Sequence, residues 1–337
     1  MVMNLAVWLT PEETKVFGKI SSTCLLFCTL AWGSPAVAAE ASEGPTKIVV
    51  ASAPGGNLDV LARILAEQMS TATSRSFFVE NKAGAGGNIA TAQVALAKPD
   101  GRTLLVVSTS HTSNIHLYRK VGYDPIKSFT PISSLAESAF AVAVPVTSSY
   151  QSLSDLVAAA KANPGQLNYG SSGIGQGNHL GMELLKSRLG MDLVHVPFTS
   201  AGAVTTALMG AQVDVAMLTL PGAFAGLEAG KLRILGVTGN RRVEKIDSVP
   251  TIQETTGVDF DLTAWQGLVA PAGLPPDQAV ALSKQIAAVL AMPQVVEQLD
   301  RVALTPKTST PDEFGRFLVR ETARWGDVIQ QANIRVE

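Results

Sequence analysis

Four glycine-rich segments contain the residues best suited to chemistry. Their sequences are SAPGGN at 52–57, GAGGN at 84–88, GSSGIG at 170–175 and FTSAG at 198–202. Each comes just before a predicted helix, where the first backbone N–H groups lack an intrahelical acceptor and carry a partial positive charge. Because glycine has no side chain, an anion can approach that backbone closely. Several such segments together would bind a carboxylate without any lysine or arginine.

Each segment is also compatible with a plain tight turn, where glycine is common. The segment at 84–88 is the weakest candidate of the four, because a purely structural role would also explain it. The segments are more persuasive as a set than singly, since open α/β sheets bind ligands at the carboxyl ends of their strands. Both interpretations remain open for each segment, and the set favours a binding site.

Charged and imidazole side chains near these loops have several possible roles. Asp59 either fixes the first loop by accepting hydrogen bonds from its N–H groups or contacts the ligand. Arg63, farther along the same predicted helix, is expected to be structural. His179 and His195 are expected to be hydrogen-bonded structural histidines. His111 follows a predicted strand end and is the one histidine that we expect near the pocket.

The loops do not match the common catalytic motifs. No Lys-Ser or Lys-Thr pair follows the glycines, as a P-loop requires, and the glycines at 173–177 lack the dinucleotide-binding spacing. The GSSG at 170–173 is not a G-x-S-x-G elbow, and the four histidines form no H-E-x-x-H pattern. We therefore expect no enzyme, no cofactor and no metal. The competing hypothesis is an enzyme in which Asp59 or His111 is the general base.

Short β-rich runs alternate with helical patterns from residue 47 onward. KIVVA at 47–51 predicts a strand, and apolar residues at three- and four-residue spacing predict a helix after it, with Asn57 as its N-cap. A second series of this kind begins near residue 140. The repeated β-α-β order predicts parallel sheets covered by helices, and two series predict an α/β fold with two lobes.

Local signals fix several helix ends. Ser152 and Asp155 have the spacing of a capping box, which opens a helix. A helical pattern from about 178 to 189 should end at Gly190. The segment 312–329 predicts one long surface helix near the C-terminus.

The composition is that of a globular chain. It has 337 residues, of which 46% are hydrophobic and 16% charged, with a formal net charge of -2. This length and apolar content allow two ordinary domains with a sizeable core. The near-neutral charge and the lack of a basic stripe give no case for nucleic-acid binding.

The first 39 residues predict a secretory signal peptide. Two lysines precede an apolar run at 24–32, and small residues follow at 34–39. We expect cleavage after Ala38 or Ala39; an N-terminal membrane anchor is the alternative. Both cysteines lie in this segment, so the mature chain should have no disulfide, thiol catalysis or cysteine-bound metal.

Several motifs in one fixed order point to a known family. They include APGGNLD at 53–59, VENKAGAGG at 79–87, KPDG at 98–101, YGSSG at 169–173 and WQGLVAP at 265–271. With these motifs the sequence resembles the Bug-type substrate-binding proteins of tripartite tricarboxylate transporters, from about residue 45 to the end. The resemblance implies a two-lobed type-II periplasmic-binding-protein fold of the α/β class, with a ligand cleft between the lobes. It implies lobe 1 at 45–140 and 262–337, and lobe 2 at 141–261.

The resemblance also implies a ligand and a set of ligand-binding residues. Family members bind small organic carboxylates or acidic amino acids through loop N–H groups, hydroxyls and water. Carried over to this chain, the implied ligand-binding residues are Pro54, Gly55, Gly56, Asn57, Asp59, Ser110, His111, Ser171, Ser172, Gly173, Gly175, Phe198, Thr199, Ser200, Ala201 and Thr219. The family often has an acidic or amide residue near Thr219, and its absence here argues against amino acids.

The resemblance further implies a periplasmic protein that hands a carboxylate to the membrane permease subunits of such a transporter. A ligand-binding component that feeds a sensor kinase is the alternative. We expect a monomer, without nucleic acid or cofactor.

Overall fold

The structure is a computed structural model that describes residues 44–334, so the predicted signal peptide at 1–39 lies outside the described residues. The strands are β1 (Thr46–Val50), β2 (Phe77–Asn81), β3 (Thr103–Val107), β4 (Phe129–Pro145), β5 (Asn168–Ser171), β6 (Val194–Pro197), β7 (Val215–Thr219), β8 (Leu232–Val237), β9 (Thr263–Pro271) and β10 (Thr305–Pro306). The helices are α1 (Asn57–Thr73), α2 (Asn88–Ala95), α3 (Thr109–Leu117), α4 (Leu153–Ala162), α5 (Gly177–Leu189), α6 (Ala201–Met209), α7 (Leu220–Glu228), α8 (Ile252–Thr256), α9 (Pro276–Leu290), α10 (Pro293–Arg301) and α11 (Pro311–Gln331).

The first group of strands is ordered β2-β1-β3-β9-β4. Strands β1, β2 and β3 are parallel, as the β-α-β order predicts. Strand β9 is antiparallel to both β3 and β4, so the prediction of purely parallel sheets was wrong. The reason is that β9 enters this sheet from a distant part of the chain and lies between β3 and β4, which are joined through α3 and run in the same direction.

Strand β4 is long and changes partners along its length. Its first part, from Phe129 to Ala139, pairs with β9. From Phe140 onward it pairs with β7 on one side and, from Ala141, with β8 on the other. Strands β5 and β6 continue from β7 in parallel pairs. One strand therefore carries the chain from the first group of strands to the second, while the exact lobe bounds at 140 and 262 stay a prediction.

Each group of strands has apolar side chains packed on both faces. The first group packs against α1, α9 and α10 on one face, with Leu61, Leu65 and Ile286 fully buried there. The second group packs against α4 and α5 on one face and α6 and α7 on the other. Helix α11 belongs to both regions, since Phe314 lies in a cluster with β3 and β9, and Trp325 in a cluster with α5.

The local helix signals were largely confirmed. Ser152 and Asp155 form the capping box that opens α4. Gly190 ends α5 in the left-handed conformation. The long C-terminal helix is present and begins with a second capping box, from Thr310 and Glu313. The assignment of Asn57 as an N-cap was wrong, because the extended residue before α1 is Gly56 and no side chain caps the helix.

Two elements near the site were not predicted. Helix α3 begins directly after β3, where no helix was predicted, and β9 contains the WQGLVAP motif as a strand. Within residues 44–334 no single helix has both the length and the apolar composition to cross a bilayer. The bent pair α9 and α10 meets the length and composition criteria for a membrane span only when the two helices are taken together.

Candidate functional site

A cavity lies where the carboxyl ends of β1 and β3 meet the start of three helices. Its lining comprises Ala51, Ser52, Leu58, Gly86, Thr91, Val106, Val107, Ser108, Ser110, His111, Asn114, Tyr123 and Gln176. Ligands of open α/β sheets bind at such strand ends. Most of the lining comes from the first group of strands, and Gln176 reaches it from the loop that precedes α5.

Three helix N-termini contribute to this one cavity. Leu58 is in the first turn of α1, Ser110 in the first turn of α3, and Gln176 is the N-cap of α5. None of these three helices has a side-chain hydrogen bond at its cap, whereas α4, α8 and α11 each have a complete capping box. Their first N–H groups therefore lack a capping side chain, and apart from the His111 N–H, which donates to the Ser108 carbonyl at 2.9 Å, they are available to an anion.

The lining combines apolar and neutral polar groups. Leu58, Val106 and Val107 supply an apolar surface, and the serines and amides supply hydrogen-bonding groups. Of the described residues that line the cavity, none is Lys, Arg, Asp or Glu. Any charge on a ligand there would be balanced by backbone dipoles rather than by a cationic side chain.

Hydrogen bonds between side chains stiffen one wall. Asn114 donates from Nδ2 to the carbonyl of Gly86 at 3.0 Å and to Asn88 Oδ1 at 2.8 Å, and the Tyr123 hydroxyl donates to Asn88 Oδ1 at 3.1 Å. Gly86 adopts a φ of 64°, which favours glycine. The segment at 84–88, which seemed the most purely structural, therefore both shapes and lines the cavity.

His111 is a neutral part of this wall. Its Nε2 lies 2.9 Å from the Pro125 carbonyl, which can only accept, so Nε2 carries the proton. Its Nδ1 is buried and has no hydrogen-bond partner among the residues that the structure describes. Burial lowers the pKa of His111 to about 4, although the hydrogen bond to the Pro125 carbonyl raises it in part. The ring is therefore uncharged at neutral pH.

The first loop, at 52–57, projects next to the cavity with Pro54, Gly55 and Gly56 exposed. Asp59 fixes it from below, because its Oδ2 accepts from the Gly55 N–H at 2.9 Å and from Arg63 Nε at 3.0 Å. Its Oδ1 accepts from Asn81 at 2.8 Å. These contacts are those of the loop-fixing role that the sequence left open for Asp59, and Arg63 contributes to them through its guanidinium group, which also donates to Asn81.

The second loop, at 171–175, directs much of its hydrogen bonding inward. The Ser171 hydroxyl is fully buried and lies 2.6 Å from His195 Nε2, and the Gly173 N–H donates to it at 3.2 Å. The Gly175 N–H donates to His179 Nδ1 at 3.1 Å. These two N–H groups are therefore satisfied within the protein.

The third loop, at 198–202, is attached to the second. The Phe198 N–H donates to the Ser171 carbonyl at 2.9 Å, while Thr199, Ser200 and Ala201 are exposed. The Ser200 hydroxyl caps α6 by accepting from the Ala203 N–H.

Two further predicted residues, Ser172 and Thr219, lie outside the contacts described so far. Ser172 donates to Asn178 Oδ1 at 2.8 Å, and Thr219 lies at the carboxyl end of β7, opposite Phe140. Of the sixteen predicted residues, Ser110 and His111 line the cavity, and the others lie in the three loops, in the first turns of α1 and α6, and at the end of β7. Ligand contact by these sixteen residues stays a prediction.

The predicted ligand-binding residues do not include eleven of the thirteen lining residues, among them Gly86, Ser108, Asn114 and Gln176. Two of them depend on α3, whose buried face is mostly polar and so lacks the apolar spacing that signals a helix. Gln176 could have been found from its place as the residue before α5. Gly86 lies in one of the four glycine-rich segments that the sequence marks as candidate binding loops.

The fold and this cavity define a solute-binding protein of the two-lobed periplasmic class. The chain belongs to the family described as "Tripartite tricarboxylate transporter family receptor", whose model matches residues 61–334. The resemblance inferred from the motifs is thereby confirmed. The family consists of transport receptors, so the protein is a solute-binding protein and not the enzyme of the competing hypothesis.

Relatives and solved structures agree with this assignment. The UPF0065 protein in the tcbD-tcbE intergenic region of Pseudomonas sp. (strain P51) is 32% identical over 286 residues, which cover 85% of each chain. BugT of Bordetella pertussis is 29% identical over 87% of this chain and 90% of its own length.

Two solved structures from Rhodopseudomonas palustris carry ligands. Rpa4515 with adipate has a TM-score of 0.81 and 30% identity, covering 88% of this chain and all of that one. MatC (Rpa3494) with bound malate has a TM-score of 0.77 and 29% identity, covering 85% of this chain and 99% of that one.

Proposed function

We propose that this protein binds a small organic carboxylate in the cavity at the start of α1, α3 and α5 and delivers it to the membrane permease of a tripartite tricarboxylate-type transporter. One observation carries the proposal: three uncapped helix N-termini line one cavity that has no charged side chain in its lining. Unpaired N–H groups at positive helix ends favour an anion. A buried carboxylate must be fully hydrogen-bonded to offset its desolvation, and such donors can do this.

The lining also limits the rest of the ligand. Leu58, Val106 and Val107 suit a short aliphatic body rather than a densely hydroxylated one. No acidic side chain in the lining could pair with a ligand ammonium, and Thr219 offers no charge either. We therefore favour mono- or dicarboxylic acids over amino acids. The adipate and malate named for the two solved relatives belong to this chemical class.

Binding is coupled to closure of the two lobes. Gln176 comes from the second group of strands, and the rest of the cavity from the first, so a ligand in the cavity would bridge both. A ligand that binds the closed state better than the open one stabilises closure by that difference. The loops and helix starts that carry the sixteen residues predicted from the sequence supply the two opposing sides of the cleft, and Asp59 and Ser171 support them from the protein interior. The segment 1–39 directs the chain to the periplasm, where it acts as a monomer.

A ligand screen on the purified protein tests this function. Thermal unfolding is followed with adipate, malate, aspartate and the diamine of adipate's length as a cationic control, and hits are titrated by calorimetry. A ligand at 100 times its dissociation constant should raise the free energy of unfolding by about 2.7 kcal/mol. We expect saturable 1:1 binding of at least one carboxylate and none of the diamine. The proposal would be contradicted if the diamine stabilised the protein. It would also be contradicted if none of the acids in a broader carboxylate panel did so.

A further inference from the structure

A stack of three rings lies directly beneath the loop at 171–175. The ring centroids of His179 and His195 are 4.0 Å apart, and those of His195 and Tyr169 are 4.8 Å apart, with both pairs nearly parallel. Tyr169 is on β5, His195 on β6 and His179 in the first turn of α5. The two imidazoles therefore lie between the loop and the core, outside the cavity lining.

Both imidazoles are bonded to the loop. The Gly175 N–H donates to His179 Nδ1 at 3.1 Å, and His195 Nε2 lies 2.6 Å from the Ser171 hydroxyl. Gly173 and Gly175 have φ values of 128° and 80°, conformations that few other residues adopt. Since glycine in the unfolded chain has many alternative conformations, this loop needs bonds to hold one shape.

The bond to Gly175 determines the state of the His179 ring. A backbone N–H can only donate, so Nδ1 of His179 must be unprotonated. A side chain that places an acceptor at the Nδ1 position could therefore replace His179 in this role, and one that places a methyl group there could not.

The surroundings hold the stack in place. The Tyr169 hydroxyl donates to Glu183 Oε1 at 2.5 Å, and Lys186 pairs with the same carboxylate at 2.8 Å while its ammonium lies over the Tyr169 ring. These charged groups, together with the partner imidazole, are the titratable neighbours of His179 and His195. The ring positions are thus fixed from α5 and β5.

A serine hydroxyl so close to a histidine could also indicate an activated nucleophile. Here Ser171 is fully buried, and its oxygen already accepts the Gly173 N–H at 3.2 Å. A substrate carbonyl could not reach it without opening the loop. The pair is therefore better explained as a support of the loop than as a catalytic pair.

We propose that His179 and His195 are positioning residues of the binding site, which turn Gly175 and Ser171 inward so that Gln176 and the first turn of α5 face the ligand. The proposal rests on the proposed function, because it assigns a role in holding the carboxylate site. It predicts that the acceptor at His179 Nδ1 matters more than the ring itself.

The test compares His179→Asn with His179→Leu in the whole protein. Both variants lose the stacked ring, but Asn Oδ1, like Nδ1, is attached to Cγ and can accept from Gly175, whereas the Leu methyl in that place cannot. The amide hydrogen exchange of Gly175 is measured by NMR, and the affinity for adipate and malate by calorimetry. We expect exchange at least ten-fold faster, and binding at least ten-fold weaker, in His179→Leu than in His179→Asn.

The two readouts separate this proposal from the proposed function. Equal exchange of Gly175 in the two variants would overturn the positioning role, and so would unequal exchange with equal affinity. If the wild-type protein bound neither acid, the exchange measurement would still decide whether His179 holds the loop. The pair His195→Gln and His195→Met repeats the test for Ser171, because Gln can place a polar atom near the Nε2 position and Met cannot.

Discussion

The Oδ2 atom of Asp59 accepts a hydrogen bond of 2.9 Å from the N–H of Gly55, which stands four residues before it on the loop that opens α1. Asp59 is only 3% exposed, and Arg63 and Asn81 occupy its remaining acceptor positions. Burial opposes ionisation of this carboxyl group, but the hydrogen bonds from Arg63, Gly55 and Asn81 outweigh it and hold the pKa below its usual value. Asp59 therefore acts as an anion that shapes the loop.

Replacing Asp59 with Ala should loosen the loop without touching the ligand directly. The change leaves Gly55 and Asn81 without their acceptor, so the free energy of unfolding should fall by about 2 kcal/mol. We expect ligand affinity to fall at least ten-fold in the Ala variant. Asp59→Asn keeps an amide oxygen for Gly55, so we expect it to lose less stability and less affinity than Asp59→Ala. Denaturant unfolding and calorimetry measure the two effects. Equal ligand affinity in the Asp59→Ala and wild-type proteins would show that Asp59 does not shape the loop at 52–57 for ligand binding.

Gly56 offers a substitution that should affect binding but not folding. Its φ of -81° is open to any residue, and an added Cβ would meet only the Ala53 carbonyl, at 4.0 Å. Gly56→Val should therefore change the free energy of unfolding by no more than about 0.5 kcal/mol. Its side chain would cover the first N–H groups of α1, so we expect carboxylate binding to be lost.

A graded series makes the Gly56 result specific. Gly56→Ala adds only Cβ and should weaken binding less than Gly56→Val in the same titration. A Val variant that unfolds normally and binds as tightly as wild type would show that the ligand does not use the start of α1.

Three buried histidines predict a stability loss in mild acid. Burial lowers the pKa of His111 to about 4, of His179 to about 3 and of His195 to about 4, from the usual 6.5. Below pH 6.5 the unfolded chain takes up protons that the folded chain does not, so stability falls as the pH falls. The slope is at most about 1.4 kcal/mol per pH unit for each histidine.

Denaturant unfolding at pH 7.5, 6.5, 5.8 and 5 measures this slope. Carboxyl groups with lowered pKa values contribute from about pH 5 downward, so the points from pH 7.5 to 5.8 isolate the histidines. His179→Asn should reduce the slope by about one third, as expected when one of three such groups is removed. A free energy of unfolding that stays constant from pH 7.5 to 5 would mean that these rings titrate normally.

Glu321 on α11 accepts hydrogen bonds from two indole rings, that of Trp265 on β9 and that of Trp325 on its own helix. Its Oε2 accepts from Trp265 Nε1 at 3.1 Å and from Trp325 Nε1 at 2.9 Å, in a buried position. Glu321→Leu leaves both N–H groups unpaired and should cost about 3 kcal/mol of unfolding free energy. Glu321→Gln retains an amide oxygen and should cost about 1 kcal/mol. Chemical denaturation followed by tryptophan fluorescence compares them, and equal losses would argue against the shared acceptor.

Features that depend on neighbours within a few residues could be predicted. The capping box at Ser152 and the left-handed Gly190 act through backbone geometry and hydrogen bonds that span less than two helical turns. Helix α3 could not be predicted in the same way. It is buried on most sides with polar residues such as Thr112 and Asn114, so no amphipathic pattern marks it.

The amino-acid sequence alone determined the family, the α/β class and the places where glycine exposes a helix start. These follow from local residue types, since a loop without side chains opens the backbone wherever it is folded. Only the tertiary structure decided that α1, α3 and the loop before α5 share one cavity, and that Gly175 and Ser171 turn inward to His179 and His195. Both outcomes depend on packing between segments far apart in the chain, such as β3 beside β9, which local residue patterns do not specify.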